Sequence, residues 1–145
     1  IDQAVRLEGP YGAFTFDEDT AGRGQIWIAG GIGITPFLAR LEELATKGVR
    51  SEGPVDLFYA TPAAHADAYP AGLPELCKAA GVSLHRRYTE THGPFATSDI
   101  LNHAEPGCSV WFCGPEGWGL ALEKAIRHAP ASPPVRFERE LFAFR

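Results

Sequence analysis

Methionine is missing from the sequence altogether, and cysteine occurs only three times, at Cys77, Cys108 and Cys113. Three scattered thiols cannot build a disulfide framework, so a reducing setting on the cytoplasmic side is expected. Cys108 and Cys113 have the first spacing of a plant-type iron–sulfur loop, but Glu116 stands where the third cysteine belongs. No basic run exceeds Arg86-Arg87, and the net charge is -5. Nucleic acids and anionic membranes are bound through clustered Lys and Arg, so neither is an expected partner. No apolar stretch approaches the roughly 20 residues of a membrane helix, and no signal peptide is visible. His85, His92 and His103 lack metal-ligand spacing and read as surface residues, so no metal site is expected. A chain that opens at Ile1 without a methionine reads as a piece of a longer protein. That parent can still be attached to the inner membrane.

What is present is enough for one domain with a real core: 145 residues, 45% hydrophobic and 21% charged, which is globular rather than disordered usage. Twelve prolines and sixteen glycines imply many short connections. Residues 1–17 read as the end of a preceding domain, with a short strand at Ala4–Glu8 and a turn at Gly9–Gly12. A polar linker runs from Asp17 to Gly24, and residues 18–145 form the main domain. Ile26–Ala29 is an apolar run suited to a strand buried on both faces. Pro36–Lys47 carries a helical stripe of Phe37, Leu41, Leu44 and Ala45, closed by Gly48. Val55–Ala60 is a second buried strand. Leu73–Ala80 is a short helix with Pro74 in its first turn and Gly81 at its end. Val82–Tyr88 suits an edge strand, and Ser98–His103 a brief helical turn. Ser109–Cys113 is a third apolar strand run, and Pro115–His128 a helix with Trp118, Leu122, Ala125 and Ile126 on one face. Val135–Phe144 is the last strand. The alternation predicts an α/β fold: a three-layer, doubly wound parallel sheet of about five strands in the order 3-2-1-4-5.

The sharpest local signal is Ala29-Gly30-Gly31-Ile32-Gly33-Ile34-Thr35-Pro36, where a buried strand meets a helix. Glycines there let backbone approach a phosphate, and a helix start offers free N–H groups and the positive end of a dipole. Thr35 suits the N-cap and Pro36 the first helical position. The dinucleotide fingerprint G-x-G-x-x-G is only partly met: Gly31 and Gly33 fill two places, and Pro36 replaces the third glycine. A glycine turn required by packing alone is the competing reading. A Walker loop is excluded, because no Gly-Lys-Ser/Thr follows. The acid that binds a ribose diol is missing from the end of the second strand, which reads Ala60-Thr61-Pro62, with Asp67 later. Arg86 and Arg87 can serve an adenosine phosphate or simply solvate an edge strand. NADH and NADPH both stay open. A second elbow, Phe112-Cys113-Gly114-Pro115-Glu116, closes another strand and points at the same crevice.

Together these blocks resemble the ferredoxin–NADP reductase superfamily. The resemblance rests on Glu8-Gly9-Pro10-Tyr11-Gly12, on Ala29 to Pro36, on Cys113-Gly114-Pro115 and on Phe137-x-x-Glu140-x-Phe142. It spans nearly the whole chain in the family's order. The ending Glu140-Leu141-Phe142-Ala143-Phe144-Arg145 looks most like bacterial ferric-reductase-like proteins. The resemblance implies an NAD(P)H-binding domain that passes hydride to FAD, with one-electron transfer onward to haem or ferric iron. Residues 1–16 would then be the end of the flavin-binding barrel. The family's flavin-binding Arg-x-Tyr-Ser/Thr segment is absent, so FAD is expected only in a missing domain, and the fragment alone is expected to be inactive. Gly30 to Pro36, with Thr61, match the nucleotide site. Cys113 matches the cysteine beside the nicotinamide ring, which sets ring position rather than attacking it. Gly114, Pro115 and Glu116 shape that pocket. Glu140 and Phe142 match the terminal carboxylate and aromatic near the flavin–nicotinamide contact. The implied partners are pyridine nucleotide, a flavin domain of the same parent and a haem-bearing membrane domain. Alternatives are a reductase module of a soluble oxygenase or flavohaemoglobin-type system, a non-catalytic dinucleotide-sensing or docking module, and an unrelated doubly wound domain.

Overall fold

Strand β1, Gln25–Gly30, is buried along its whole length, as its unbroken apolar run requires of a central strand. Four further strands complete one sheet: β2 (Val55–Thr61), β3 (Ser83–Tyr88), β4 (Ser109–Pro115) and β5 (Arg136–Phe142). The order is β3-β2-β1-β4-β5, and every neighbouring pair is parallel. This is the expected doubly wound α/β sheet, with β3 and β5 at the edges. The structure is a computed structural model that describes residues 14–16, 23–63, 72–128 and 136–142. The expected strand at Ala4–Glu8, the turn at Gly9–Gly12, most of the Asp17–Gly24 linker and Asp67 lie outside the described residues.

Helices cover both faces. Helix α1 (Thr35–Lys47) and α2 (Leu73–Ala80) end at Gly48 and Gly81, each in the left-handed region, with φ of 62° and 74°. The short helices α3 (Thr89–His92) and α4 (Thr97–Leu101) follow β3, and α5 (Glu116–His128) follows β4. The four-residue α3 is not foreseen in the sequence, because one turn of Thr-Glu-Thr-His has no apolar period. Pleat parity divides the core into two layers. Trp27, Ala29, Leu57, Tyr59, Trp111 and Cys113 face α1 and α2. Ile26, Ile28, Phe58, Ala60, Val110 and Phe112 face α4 and α5.

The first layer is dominated by aromatic rings. Trp27 stacks on Phe37 at 5.6 Å between centroids, and Phe16 lies 5.1 Å from Trp111 and 5.2 Å from Trp27. Phe14 and Phe16, within the stretch read as a preceding domain, therefore pack into this core. Each buried indole has a partner two residues earlier on its own strand. Trp27 Nε1 donates to Gln25 Oε1 and Trp111 Nε1 to the Ser109 hydroxyl, both at 2.9 Å. The register sets Gln25 opposite Ser109 and Trp27 opposite Trp111, so both buried polar side chains are accounted for. Among the described residues no helix is long and apolar enough to cross a membrane.

Phe37 is fully buried at the centre of this ring cluster. Phe37→Ala is expected to lower unfolding free energy by about 3–5 kcal/mol in urea titrations. Leu120→Ala, on the exposed face of α5, stays within about 0.5 kcal/mol of the parent.

Candidate functional site

The carboxyl ends of β1 and β4 meet where the sheet order reverses, between strands that lead to helices on opposite faces. In open parallel sheets this switch point is where ligands bind. After β1 the chain makes a 3-10 turn at Gly31–Ile34 before α1. The sequence places Thr35 at the N-cap and the helix from Pro36. Instead Thr35 is the first α-helical residue, Ile34 is the cap, and the Thr35 hydroxyl donates back to the Ile32 carbonyl at 3.1 Å. The short turn advances the helix by one residue and uses Thr35 to close itself.

The glycines divide into two physical roles. A Cβ on Gly33 would lie 2.1 Å from the Cys113 carbonyl oxygen, which is backbone and cannot yield. A Cβ on Gly30 would lie 2.6 Å from Pro115, and one on Gly114 would lie 3.2 Å from the Gly30 nitrogen. These three are glycines because the two elbows press directly on one another, so the packing reading holds for them. Gly31 differs. Its φ is +53° and nothing lies within 4 Å of its missing side chain. Beside it Ile32 and Thr35 are exposed, while Ile34 is fully buried in the core. Ile34 thus offers the site its backbone, not its side chain. The open surface of the turn is Gly31, Ile32 and Thr35.

The starts of α1 and α5 are not equivalent. Helix α1 carries no acidic residue in its first turn and no side-chain cap, so no side-chain charge offsets the positive end of its dipole, although the Thr35 N–H is taken by the Ile32 carbonyl. Helix α5 begins with the exposed Glu116, which already places a negative charge at its start. A dinucleotide's pyrophosphate therefore fits the start of α1 and is disfavoured at α5. Gly31's open left-handed turn leaves room for it, so the residues present fit such a ligand.

Cys113 lies under this turn, buried on the α1 face of the sheet, with Glu140 opposite it in the β4–β5 register. Burial, and then the Glu140 carboxylate, push its thiol up to about 11. A neutral thiol is a packing and positioning group rather than a nucleophile. The register sets Gly114 opposite Leu141 and Pro115 opposite Phe142. Phe142 is placed by its backbone; its side chain lies outside the description. Thr61 ends β2 on the same sheet edge but is wholly buried, its hydroxyl donating to the Pro62 carbonyl at 3.4 Å.

Two contacts escaped the sequence. The Glu90 carboxylate accepts the Ala63 N–H with both oxygens, at 2.8 and 2.9 Å, and ties the segment after β2 to α3. Gly119 lets α5 approach the sheet: a Cβ there would lie 2.7 Å from both Phe112 and Leu141. Arg87, one of two candidates for an adenosine phosphate, is committed elsewhere. It pairs with Asp99 at 3.2 Å and lies over the Phe95 ring at 4.4 Å. Arg86 stays exposed near the Tyr88 ring. His92 and His103 are exposed as read from the sequence and His85 is half-buried, and His85 and His103 converge on Asp56 despite their lack of ligand spacing.

Gly33→Ala is expected to cost about 1–3 kcal/mol by overpacking against the Cys113 carbonyl, measured by chemical denaturation; an unchanged midpoint would disprove the contact. Cys77 is also buried and its thiol stands at about 11. Stability from keeping Cys77 and Cys113 neutral is fully present below the ordinary thiol value of 9.0 and is lost as pH rises towards about 11. Denaturation midpoints should fall across that interval, and less steeply in Cys113→Ala.

No family model matches the chain. It is 32% identical over 143 residues to the beta subunit of the heme-dependent oxidative N-demethylase of Ectopseudomonas mendocina (strain ymp), covering 99% of this chain and 43% of that protein. Among solved structures, phthalate dioxygenase reductase is 27% identical with a TM-score of 0.53, over 81% of this chain and 35% of that one. It is described as a modular structure for electron transfer from pyridine nucleotides to 2Fe-2S. Ferredoxin-NADP+ reductase from Plasmodium falciparum shares the fold, with a TM-score of 0.64 and 17% identity over 91% of this chain and 60% of that one. The chain thus spans less than half the length of the curated relative it matches. The narrower likeness to ferric reductases finds no support in these proteins. With the sheet order, the paired elbows and these relatives taken together, the chain belongs to the ferredoxin–NADP reductase superfamily and has the fold of its NAD(P)-binding domain.

Proposed function

We propose that this chain is the pyridine-nucleotide-binding part of an NAD(P)H-dependent flavin oxidoreductase serving an oxygenase system. The observation that carries the proposal is the direct contact of Gly30–Gly33 with Cys113–Pro115 at the switch point of the sheet. That contact forms one continuous surface out of an anion-binding helix start and a buried, uncharged thiol. When bound, the reduced nicotinamide supplies a hydride to a flavin, which releases electrons singly to an acceptor. This chain lacks the flavin-binding segment, so FAD belongs to another domain of the parent.

The roles follow from position. The exposed Gly31–Ile32 side of the turn that runs to Thr35, with the positive end of the α1 dipole, holds the pyrophosphate. Cys113 sets the depth and angle of the nicotinamide ring and excludes water beneath it. Glu140, one strand over, orients the carboxamide. Gly114 and Pro115 keep the wall of the pocket flat, and Phe142 marks the side from which the flavin domain approaches.

An oxygenase or dioxygenase component as electron acceptor is favoured by the relatives, whose names describe an oxidative N-demethylase and a dioxygenase reductase. This replaces ferric iron and a haem-bearing membrane domain as the acceptor side, along with attachment to the inner membrane. A setting on the cytoplasmic side accords with three unpaired thiols.

Calorimetric titration tests the binding half of the proposal. The chain should bind NADH or NADPH with a dissociation constant within the roughly 1 μM–1 mM range of enzyme substrates; binding of neither defeats it. In the parent carrying its flavin domain, Cys113→Ala should slow flavin reduction about 100-fold while nucleotide affinity changes little, as expected for a misplaced ring. Stopped-flow absorbance of the flavin reads both quantities.

A further inference from the structure

On the face of the sheet away from α1, three side chains from separate elements converge. Asp56 lies near the amino end of β2, His85 on edge strand β3, and His103 just beyond α4. This is the sheet edge opposite the nucleotide elbows, which sit at the carboxyl ends of β1 and β4. One carboxylate oxygen, Asp56 Oδ1, lies 2.7 Å from His85 Nε2 and 3.3 Å from His103 Nδ1. All three donor atoms fall within 4.8 Å of one another.

The two imidazoles are held in place by packing. His85 stacks on Phe58 at 4.5 Å with the planes 14° apart, and His103 meets the same ring edge-on at 5.2 Å. The two imidazoles stand 4.7 Å apart. Backbone bonds fix the segment carrying His103: its N–H donates to the Ile100 carbonyl at 3.1 Å, and Ala104 N–H to Leu101 at 3.0 Å. Phe58 therefore acts as a rigid wall that turns both nitrogens towards one oxygen. Ligand orientation of this kind, fixed by the surrounding shell, is what a metal site requires.

We propose that Asp56, His85 and His103 bind a single divalent transition-metal cation, Zn2+ above all, as a clip between the β2–β3 edge and the segment after α4. Tetrahedral Zn2+ with bonds of about 2.0–2.1 Å keeps its ligand atoms about 3.3 Å apart. The His103–Asp56 pair already has that separation, at 3.3 Å. The His85–Asp56 pair opens from 2.7 Å by about 0.6 Å on binding. His103 is exposed to water, so solvent completes the fourth position. Two imidazoles and one carboxylate select Zn2+, Ni2+ or Cu2+ over Mg2+ and Ca2+, which take oxygen ligands. The site touches none of the nucleotide elbows, so its part is to hold the edge of the fold.

The test is titration of the untagged, chelator-stripped full chain with Zn2+ alone, followed by calorimetry and by the imidazole NMR signals. One equivalent is expected, with the His85 and His103 signals shifting together while those of His92 and His128 stay. His103→Ala and Asp56→Asn should each weaken binding by more than the roughly 10- to 100-fold that loss of an outer-shell partner costs; His92→Ala should not. The NMR readout needs no substitution, so a variant that fails to fold leaves the test intact. Absence of one-equivalent binding, unchanged affinity in both cluster variants, or shifts confined to other histidines would overturn the proposal.

Discussion

The contact of Gly33 against the Cys113 carbonyl is the constraint around which the rest is arranged. A methyl-sized group cannot enter a gap where it would sit 2.1 Å from backbone oxygen. Because β1 and β4 are hydrogen-bonded neighbours, this closeness presses the turn after β1 onto the end of β4. The same pressure accounts for Gly30 against Pro115 and for Gly114 against Gly30. What faces outwards is then limited to Gly31, Ile32 and Thr35. The two elbows are not separated by a gap, and in the function proposed above a dinucleotide lies on the single ridge that both form.

Electrostatics gives that ridge a direction. Of the two helices that follow β1 and β4, α1 starts without a carboxylate in its first turn and α5 with Glu116. An anion gains from the uncompensated dipole at α1 and is repelled by Glu116 at α5. At the other end of the ridge the buried thiol of Cys113 is kept neutral, first by burial and then by Glu140. Helix polarity and burial thus give the two ends of this surface different character, which is what the proposed placement of pyrophosphate and nicotinamide ring uses.

The opposite sheet edge is organised by a different rule. Strand pairing sets His85 beside Phe58 in register, and Asp56 shares the pleat face of Phe58 two residues earlier. The end of α4 brings His103 to the same ring. Arg87, on the same face of β3, is drawn to Asp99 and Phe95 instead of to a nucleotide. Edge strand β3 thus carries His85 and Arg87 inwards towards α4 and the segment after it, and this anchors one edge of the sheet.

Much of the fold was legible in the sequence because strands buried on both faces leave unbroken apolar runs, as at 26–29, 57–60 and 110–113. Gly48 and Gly81 marked helix ends, since a left-handed residue there disfavours any side chain. The alternation of elements then left the parallel order 3-2-1-4-5 as the natural arrangement. Local pattern could not show why each glycine is present: Gly30, Gly33 and Gly114 answer to backbone from another strand, and Gly31 to its own φ. The one-turn helix α3, the seat of Thr35 and the burial of Ile34 were likewise settled by packing. The meeting of Asp56, His85 and His103 was decided by tertiary structure alone, because it joins residues up to 47 positions apart in sequence through strand register and a helix end. Composition and periodicity determine which segments are strand, helix or turn, because those are local energies; which side chains share a site is determined by contacts that exist only once the sheet has closed.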